Sequence, residues 1–401
     1  RLETLTSADL IAPEDLDREL AYLFRHALTR DVAYEAILYA RRRDLHQRVA
    51  RQIEQLSAGR LDDQLALLAR HYLLAEEWQP AFSYHVRAGR QAQARYANRE
   101  AITLLERALQ IAERVGVGIW GSVDGEQSVE HGNPNPQLPT TNPLVIELHE
   151  RLGEIYMLIG EYDTALERYQ AALSLLQQQP AAPIDGLVRL HHQIARVYGQ
   201  RGTNDTALEW VERALRLAGD TPSLELARCL SLGAGLYQRQ GRYPQAVEWG
   251  ERALELTAQS GSQRDHANTL RRLGGTYRNM GENARAYEIL TRCLASYEQL
   301  QDLAGLADAH NDMANICFEL GRLAEARQHY EAGAAIKRDI GDVYGQAMIA
   351  NNLGNTLKLQ DEVDEAITQY GRSLATFEQL GSLYATGALH MNLGATHLQR
   401  G

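Results

Sequence analysis

The sequence predicts an all-α solenoid of antiparallel helix pairs. Two observations carry the prediction. One phrase recurs seven times between residue 144 and the end, and its small-residue position steps by 42, 39, 40, 40, 40 and 40 residues. There are also only ten Pro in 401 residues, several bunched together, so long stretches are free to be helical. A chain of this length is too long for one compact core, and an internal repeat is the feature that decides its fold.

The recurring phrase begins at Leu152-Gly153-x-x-Tyr156. It continues through Ile194-Ala195-x-x-Tyr198, Gly233-Ala234-x-x-Tyr237 and Leu273-Gly274-x-x-Tyr277. The last three copies are Met313-Ala314-x-x-Cys317, Leu353-Gly354-x-x-Leu357 and Leu393-Gly394-x-x-His397. Gly follows four residues later at Gly160, Gly202, Gly241, Gly281, Gly321 and Gly401, with Asp361 as the exception. Ala then follows at Ala165, Ala207, Ala246, Ala286, Ala326 and Ala366. A small residue on the first helix lets the second approach, and the Ala opening the second does the same from its side. The aromatic residue fills the space between them, and Gly supplies the left-handed turn. A helix pair leaves an apolar face uncovered, so pairs must stack.

This pattern resembles the tetratricopeptide family from about residue 144 to the end, in its variety with longer repeats of about 40 residues, as in cell-polarity scaffolds and kinesin light chains. The resemblance implies a right-handed superhelix whose first helices line a concave groove. Six full repeats and the first helix of a seventh are expected over 144–401. A solenoid needs a capping end, so the natural chain is expected to continue.

Residues 61–114 read as degenerate helical repeats, with helices at Leu61 to Ala75, about Gln79 to Tyr96, and Asn98 to Arg114. Ala81, Ala88, Ala101 and Ala108 echo the small-residue spacing there at a different period. Residues 115–143 are rich in Gly, Pro, Asn, Ser and Thr, including Asn133-Pro134-Asn135-Pro136, and read as a flexible linker or loop.

The first 60 residues read as helical. Tyr22-Leu23-Phe24-Arg25-His26-Ala27-Leu28-Thr29-Arg30-Asp31-Val32-Ala33-Tyr34-Glu35 and the run from Ala40 to Ala50 are similar to the stretch that follows the ATPase core of bacterial STAND-type P-loop NTPases. The resemblance implies the end of a winged-helix region, with His26, placed on an amphipathic helix, as a sensor of nucleotide phosphates in a longer parent. The basic run Arg41-Arg42-Arg43 with Arg48 and Arg51 is interleaved with Asp44 and Glu54, and reads as a solvated face or domain contact.

The function classes narrow by chemistry. A net charge of −11 argues against bulk affinity for nucleic acid or anionic membrane. No run of about 18 apolar residues is present to span a bilayer. Cys229, Cys293 and Cys317 lie far apart without zinc-like spacing, read as buried apolar residues, and fit a cytoplasmic location. There is no GxxxxGK[ST], HExxH or GxSxG, and the neighbouring His191-His192 doublet points two ways on a helix. No catalytic residue, cofactor or metal is therefore expected.

What remains is binding. The resemblance places positions 2, 5, 9, 12 and 13 of each repeat on the groove. These supply Arg189, His192, Arg196, Arg228, Arg239, Asn268, Arg271 and Arg278. Asn311, Asn315, Asn351, Asn355 and Lys358 follow toward the end. Such a groove is basic in the middle and Asn-rich beyond. Arg and Lys favour carboxylates, and Asn offers paired donors and acceptors to an extended peptide. Two readings follow: the partner-sensing arm of a STAND-type NTPase, or a free-standing adaptor without an ATPase.

Overall fold

A computed structural model of the chain describes residues 5–6, 8, 10–16, 19–57, 59–115, 143–219, 221–379 and 382–400. These form eighteen α-helices and one short hairpin, divided into two compact units, Arg1–Pro180 and Ala181–Gly401. The stretch 116–142, expected to be a linker, and Gly401 lie outside the described residues.

The first unit opens with strands β1 (Ile11–Leu16) and β2 (Glu19–Phe24), antiparallel with Ile11 opposite Phe24. This corrects the expectation that residues 1–60 are helical throughout. Pro13 stands inside β1, where a helix interior would lose a hydrogen bond and clash. Then come α1 (Ala27–Glu35), α2 (Tyr39–Leu56), α3 (Leu65–Leu74), α4 (Trp78–Ala94), α5 (Asn98–Val115), α6 (Pro143–Leu158) and α7 (Tyr162–Gln177).

The pair α4–α5 carries the array's own register, which the sequence reading placed at a different period. Gly89, Tyr96 and Ala101 stand at the same spacings as Gly153, Gly160 and Ala165. A Cβ on Gly89 would sit 2.5 Å from Leu105 of the second helix, and Tyr96 takes the left-handed turn with φ 57°. A tyrosine in the usual place of a glycine hid the copy.

The helices on either side of residues 116–142 are in contact. Tyr156 of α6 donates to Glu106 of α5 at 2.8 Å, and Arg168 of α7 reaches the same carboxylate at 2.9 Å. Arg90 of α4 grips Glu147 of α6 at 2.9 and 3.0 Å. These contacts place the first copy of the array in the N-terminal unit.

The second unit contains α8 (Ile184–Gln200), α9 (Asn204–Ala218), α10 (Leu224–Arg239), α11 (Tyr243–Ser260), α12 (Gln263–Asn279) and α13 (Asn283–Leu300). It continues with α14 (Leu303–Glu319), α15 (Leu323–Asp339), α16 (Val343–Leu359), α17 (Val363–Gln379) and α18 (Leu383–Arg400). Even-numbered helices are the first of each pair. The small residue works as expected: a Cβ on Gly274 would lie 2.7 Å from Leu290, and one on Gly354 would lie 2.7 Å from Tyr370. The turns are left-handed at Gly202, Gly241, Gly281 and Gly321, and Asp361 adopts the same turn with φ 66°.

Two apolar cores run through this unit, one built around Val188, Val211, Leu230 and Ala253, the other around Leu273, Leu290, Met313, Tyr330 and Tyr370. All three cysteines are buried free thiols within them, as the sequence suggested. Burying each Leu or Tyr in these layers stabilises the stack by roughly 1.5–3 kcal/mol. No helix among the described residues is long and apolar enough to cross a membrane.

Candidate ligand groove on the first helices

Repeat geometry stacks the first helices side by side, so residues about 40 apart become neighbours. Arg228 on α10 grips Asp265 on α12 at 3.2 and 3.0 Å and also reaches Glu225 at 2.9 Å. Burial tends to raise the Asp265 pKa, but hydrogen bonds from Arg228 and Ser262 hold it below its ordinary value. Arg271 on α12 meets Asp308 and Asp312 on α14 at 3.5 and 3.3 Å, and Arg278 meets Glu319 at 3.6 Å. Asn352 donates to Asn311 at 3.2 Å, and Asn392 to Asn351 at 3.0 Å. Much of the polar face is thus a ladder that ties repeat to repeat.

One region is left with excess positive charge. A cleft of about 370 Å³ opens between α8, α10 and α12, lined by His192, Arg196, Arg228, Arg239, Asn268 and Arg272 among others. Arg196 donates to Gln193 at 2.6 Å, and no carboxylate pairs with Arg196, Arg239 or Arg272 among the described residues. The Arg272 pKa falls to about 10, first through burial in the curve of the helices and then through the charges of Arg271, Arg239 and Arg196. Its side chain nevertheless remains solvent-exposed. Burial, then Arg196, Arg228 and Arg272, lower His192 to about 3, so it is neutral at physiological pH. Its Nδ1 has no hydrogen-bond partner. His191 turns the other way, its Nδ1 2.8 Å from the Leu187 carbonyl and its ring against Trp210.

The expected groove residues therefore divide. His192, Arg196, Arg228, Arg239 and Asn268 converge on the cleft. Arg271 and Arg278 are ion-paired outside it, and the charge of Arg189 acts on Glu225. Asn311, Asn315, Asn351, Asn355 and Lys358 lie on α14 and α16, away from it. Asn315 and Asn355 are also less versatile than their residue type suggests. Tyr330 donates to Asn315 Oδ1 at 2.6 Å and Tyr370 to Asn355 Oδ1 at 2.7 Å, which aims each carboxamide as a donor. Tyr297 holds Asn268 the same way at 2.7 Å.

Arg272 was missed because it stands at a position usually turned toward the neighbouring repeat. Gly235 makes the difference: a Cβ there would lie 2.6 Å from Arg272 Nη1. Gly199 similarly leaves room for Arg239, whose Nη2 would be 3.2 Å from a Cβ. Glycine inside two first helices was the available signal.

His26 is not within a helix, which corrects its expected placement. It is the exposed residue before α1, with extended backbone at φ −125° and ψ 129°. The basic run on α2 is matched by carboxylates: Arg41 and Arg48 to Asp44 at 2.6 and 3.1 Å, Arg42 to Glu35 at 2.8 Å, and Arg43 to Glu76 at 3.0 Å.

The tetratricopeptide-repeat family model matches residues 144–220, 186–259 and 265–339, and a second model of that repeat matches 346–380. The chain belongs to the tetratricopeptide-repeat family. No curated protein sequence matches it significantly. Among solved structures it is similar to the apo quorum sensor NprR from B. thuringiensis, with 14% identity and a TM-score of 0.60, covering 87% of this chain and 91% of that one. A Rap protein solved with competence and sporulation factor gives 12% identity and a TM-score of 0.52, covering 90% and 98%. A STAND protein with a tetratricopeptide repeat sensor from Pyrococcus horikoshii gives 13% identity and a TM-score of 0.50. That match covers 99% of this chain, which spans 57% of the STAND protein. At these identities the likeness is one of fold.

Proposed function

We propose that this tetratricopeptide chain is a non-catalytic sensing arm that holds an extended, carboxylate-bearing peptide or protein segment in the second unit. The carrying observation is the cluster of Arg196, Arg239 and Arg272, without carboxylate partners among the described residues, in a cleft of a protein with net charge −11. Like charges held together are costly unless an anion joins them, and Arg matches a carboxylate with two parallel hydrogen bonds. The Nδ2 groups of Asn315 and Asn355, farther along the same row of first helices, would donate to main-chain carbonyls. The Rap protein solved in complex with competence and sporulation factor supports a ligand held by this fold.

The arm of a STAND-type NTPase is favoured over a free adaptor by the N-terminal segment. Phe24, Leu28, Val32, Leu38 and Tyr39 are exposed there, and α1 buries none of its residues. An ATPase core packed on that apolar face would cover it, with His26 beside the core as a phosphate sensor.

The groove is tested by fluorescence anisotropy with labelled extended peptides rich in Asp and Glu, and matched peptides carrying Asn and Gln. Arg239→Glu combined with Arg272→Glu should weaken the acidic peptides by about 2- to 30-fold, since each exposed ion pair lost is worth about 0.2–1 kcal/mol. Equal affinity for both peptide sets, or no effect of charge reversal, would overturn the assignment. Asn315→Ala with Asn355→Ala should weaken both sets alike, because main-chain contacts do not read side chains.

A further inference from the structure

The fifth copy departs from its siblings at two positions that meet in space beside a carboxylate. Where the two preceding copies place Tyr237 and Tyr277 it has Cys317, and where they place Trp249 and Ile289 it has His329; the next copy has Leu357 and Gln369 there. Glu325 stands where the preceding copy has Arg285 and the next has Glu365. In a repeat array, substitutions scattered by drift need not share a location. These do: one ligand atom each from Cys317, Glu325 and His329 lies within 4.8 Å of the other two. Cys317 comes from α14, and Glu325 and His329, one helical turn apart, come from α15.

The groups around the three side chains are arranged as those around a metal usually are. Tyr287 of α13 donates to Glu325 Oε1 at 2.6 Å. His310, on α14, places its Nδ1 2.9 Å from the Nδ1 of His329. Metal-bound histidines and carboxylates are commonly oriented by such outer hydrogen bonds. Cys317 is buried, whereas Glu325 and His329 are half-buried and leave a way in from solvent. Two positions that in the two preceding copies are apolar or aromatic have been given to a thiol and an imidazole, beside a carboxylate.

We propose that Cys317, Glu325 and His329 form a zinc site that clamps the two helices of the fifth pair, with His310 and Tyr287 orienting its ligands. A thiolate, a carboxylate and a neutral imidazole balance the two charges of the ion. Zn²⁺ accepts this mixed S, O and N set in tetrahedral geometry, water taking the fourth place. The site lies outside the arginine cleft and does not depend on the peptide reading.

The test uses the whole chain, purified with chelator, and Co²⁺ and Zn²⁺ as probes. Co²⁺ should bind one per chain with a thiolate-to-cobalt charge-transfer band, and Zn²⁺ should displace it and raise the Tm. Cys317→Ser and His329→Gln should each remove the band and weaken zinc by more than about 100-fold, while Tyr287→Phe should weaken it about tenfold. Cys229→Ser with Cys293→Ser should leave both unchanged. Far-ultraviolet circular dichroism checks that each variant is folded. The wild type alone is decisive if a variant is not: absence of a charge-transfer band, or no stoichiometric zinc, overturns the proposal. A band that persists in Cys317→Ser overturns it equally.

Discussion

Two glycine-to-alanine substitutions on adjacent helices should change stability in opposite directions. A Cβ on Gly354 of α16 would lie 2.7, 2.8 and 3.0 Å from Cε1, Cδ1 and Cζ of Tyr370. Ordinary carbon contacts begin near 3.5 Å, so the ring would have to move by roughly 0.8 Å. Tyr370 is 0% exposed, and its hydroxyl is committed to Asn355 at 2.7 Å, so it has nowhere to move without loss. Overpacking costs about 1–3 kcal/mol and a strained or broken hydrogen bond about 1 kcal/mol. Against this, Ala is favoured over Gly in a helix interior by about 1 kcal/mol. Gly354→Ala should therefore destabilise by about 1–3 kcal/mol.

Gly371 of α17 is helical and exposed, and a Cβ there meets nothing within 4 Å. Gly371→Ala keeps only the helix gain and should stabilise by about 0.5–1 kcal/mol. Urea unfolding followed by circular dichroism measures both. Amide exchange in α16 and α17 gives the local reading that a stepwise-unfolding array also requires. If Gly354→Ala proved as stable as wild type, or if both variants moved together, the close-approach explanation of the repeat's small residue would be wrong.

Asp361 adopts a left-handed turn that other copies assign to Gly, so Asp361→Gly should raise stability by up to about 1 kcal/mol in the same urea assay. Tyr370→Phe and Asn355→Ala should show a coupling energy of about 1 kcal/mol in a double-mutant cycle, since each removes the same hydrogen bond. His192 and His149 have pKa values lowered to about 3 and about 4, both chiefly by burial, whereas the unfolded chain binds protons near pH 6.5. The unfolded state therefore takes up more protons below that pH. Stability should be full above pH 6.5 and fall as the pH drops toward 4, and His192→Gln should flatten part of that slope in unfolding curves taken between pH 7 and pH 5. Peptide capture in the arginine cleft should weaken as salt rises from 50 to 500 mM, whereas any purely apolar contact would not.

The sequence alone was sufficient for the fold class, the period and the packing role of each small residue. Those features are local and periodic. Gly153, Gly274 and Gly354 serve the same contact in their copies, and Gly241 or Gly281 the same turn, so repetition makes the reading redundant. Where that redundancy lapsed, the reading weakened: Tyr96 in place of the turn glycine concealed the α4–α5 copy, and the β1–β2 hairpin belongs to no repeat.

The candidate site is different because it depends on pairs of residues about 40 apart whose mutual satisfaction a helix register does not reveal. Arg228, Arg271 and Arg278 looked equivalent to Arg239, yet Asp265, Asp312 and Glu319 engage the first three and, among the described residues, no carboxylate engages the last. Asn315 and Asn355 looked able to donate and accept until Tyr330 and Tyr370 took their carbonyls. Position along a helix says which face a side chain occupies. Only stacking decides whether its charge or hydrogen bond is already spent, and hence which arginines are left for a ligand.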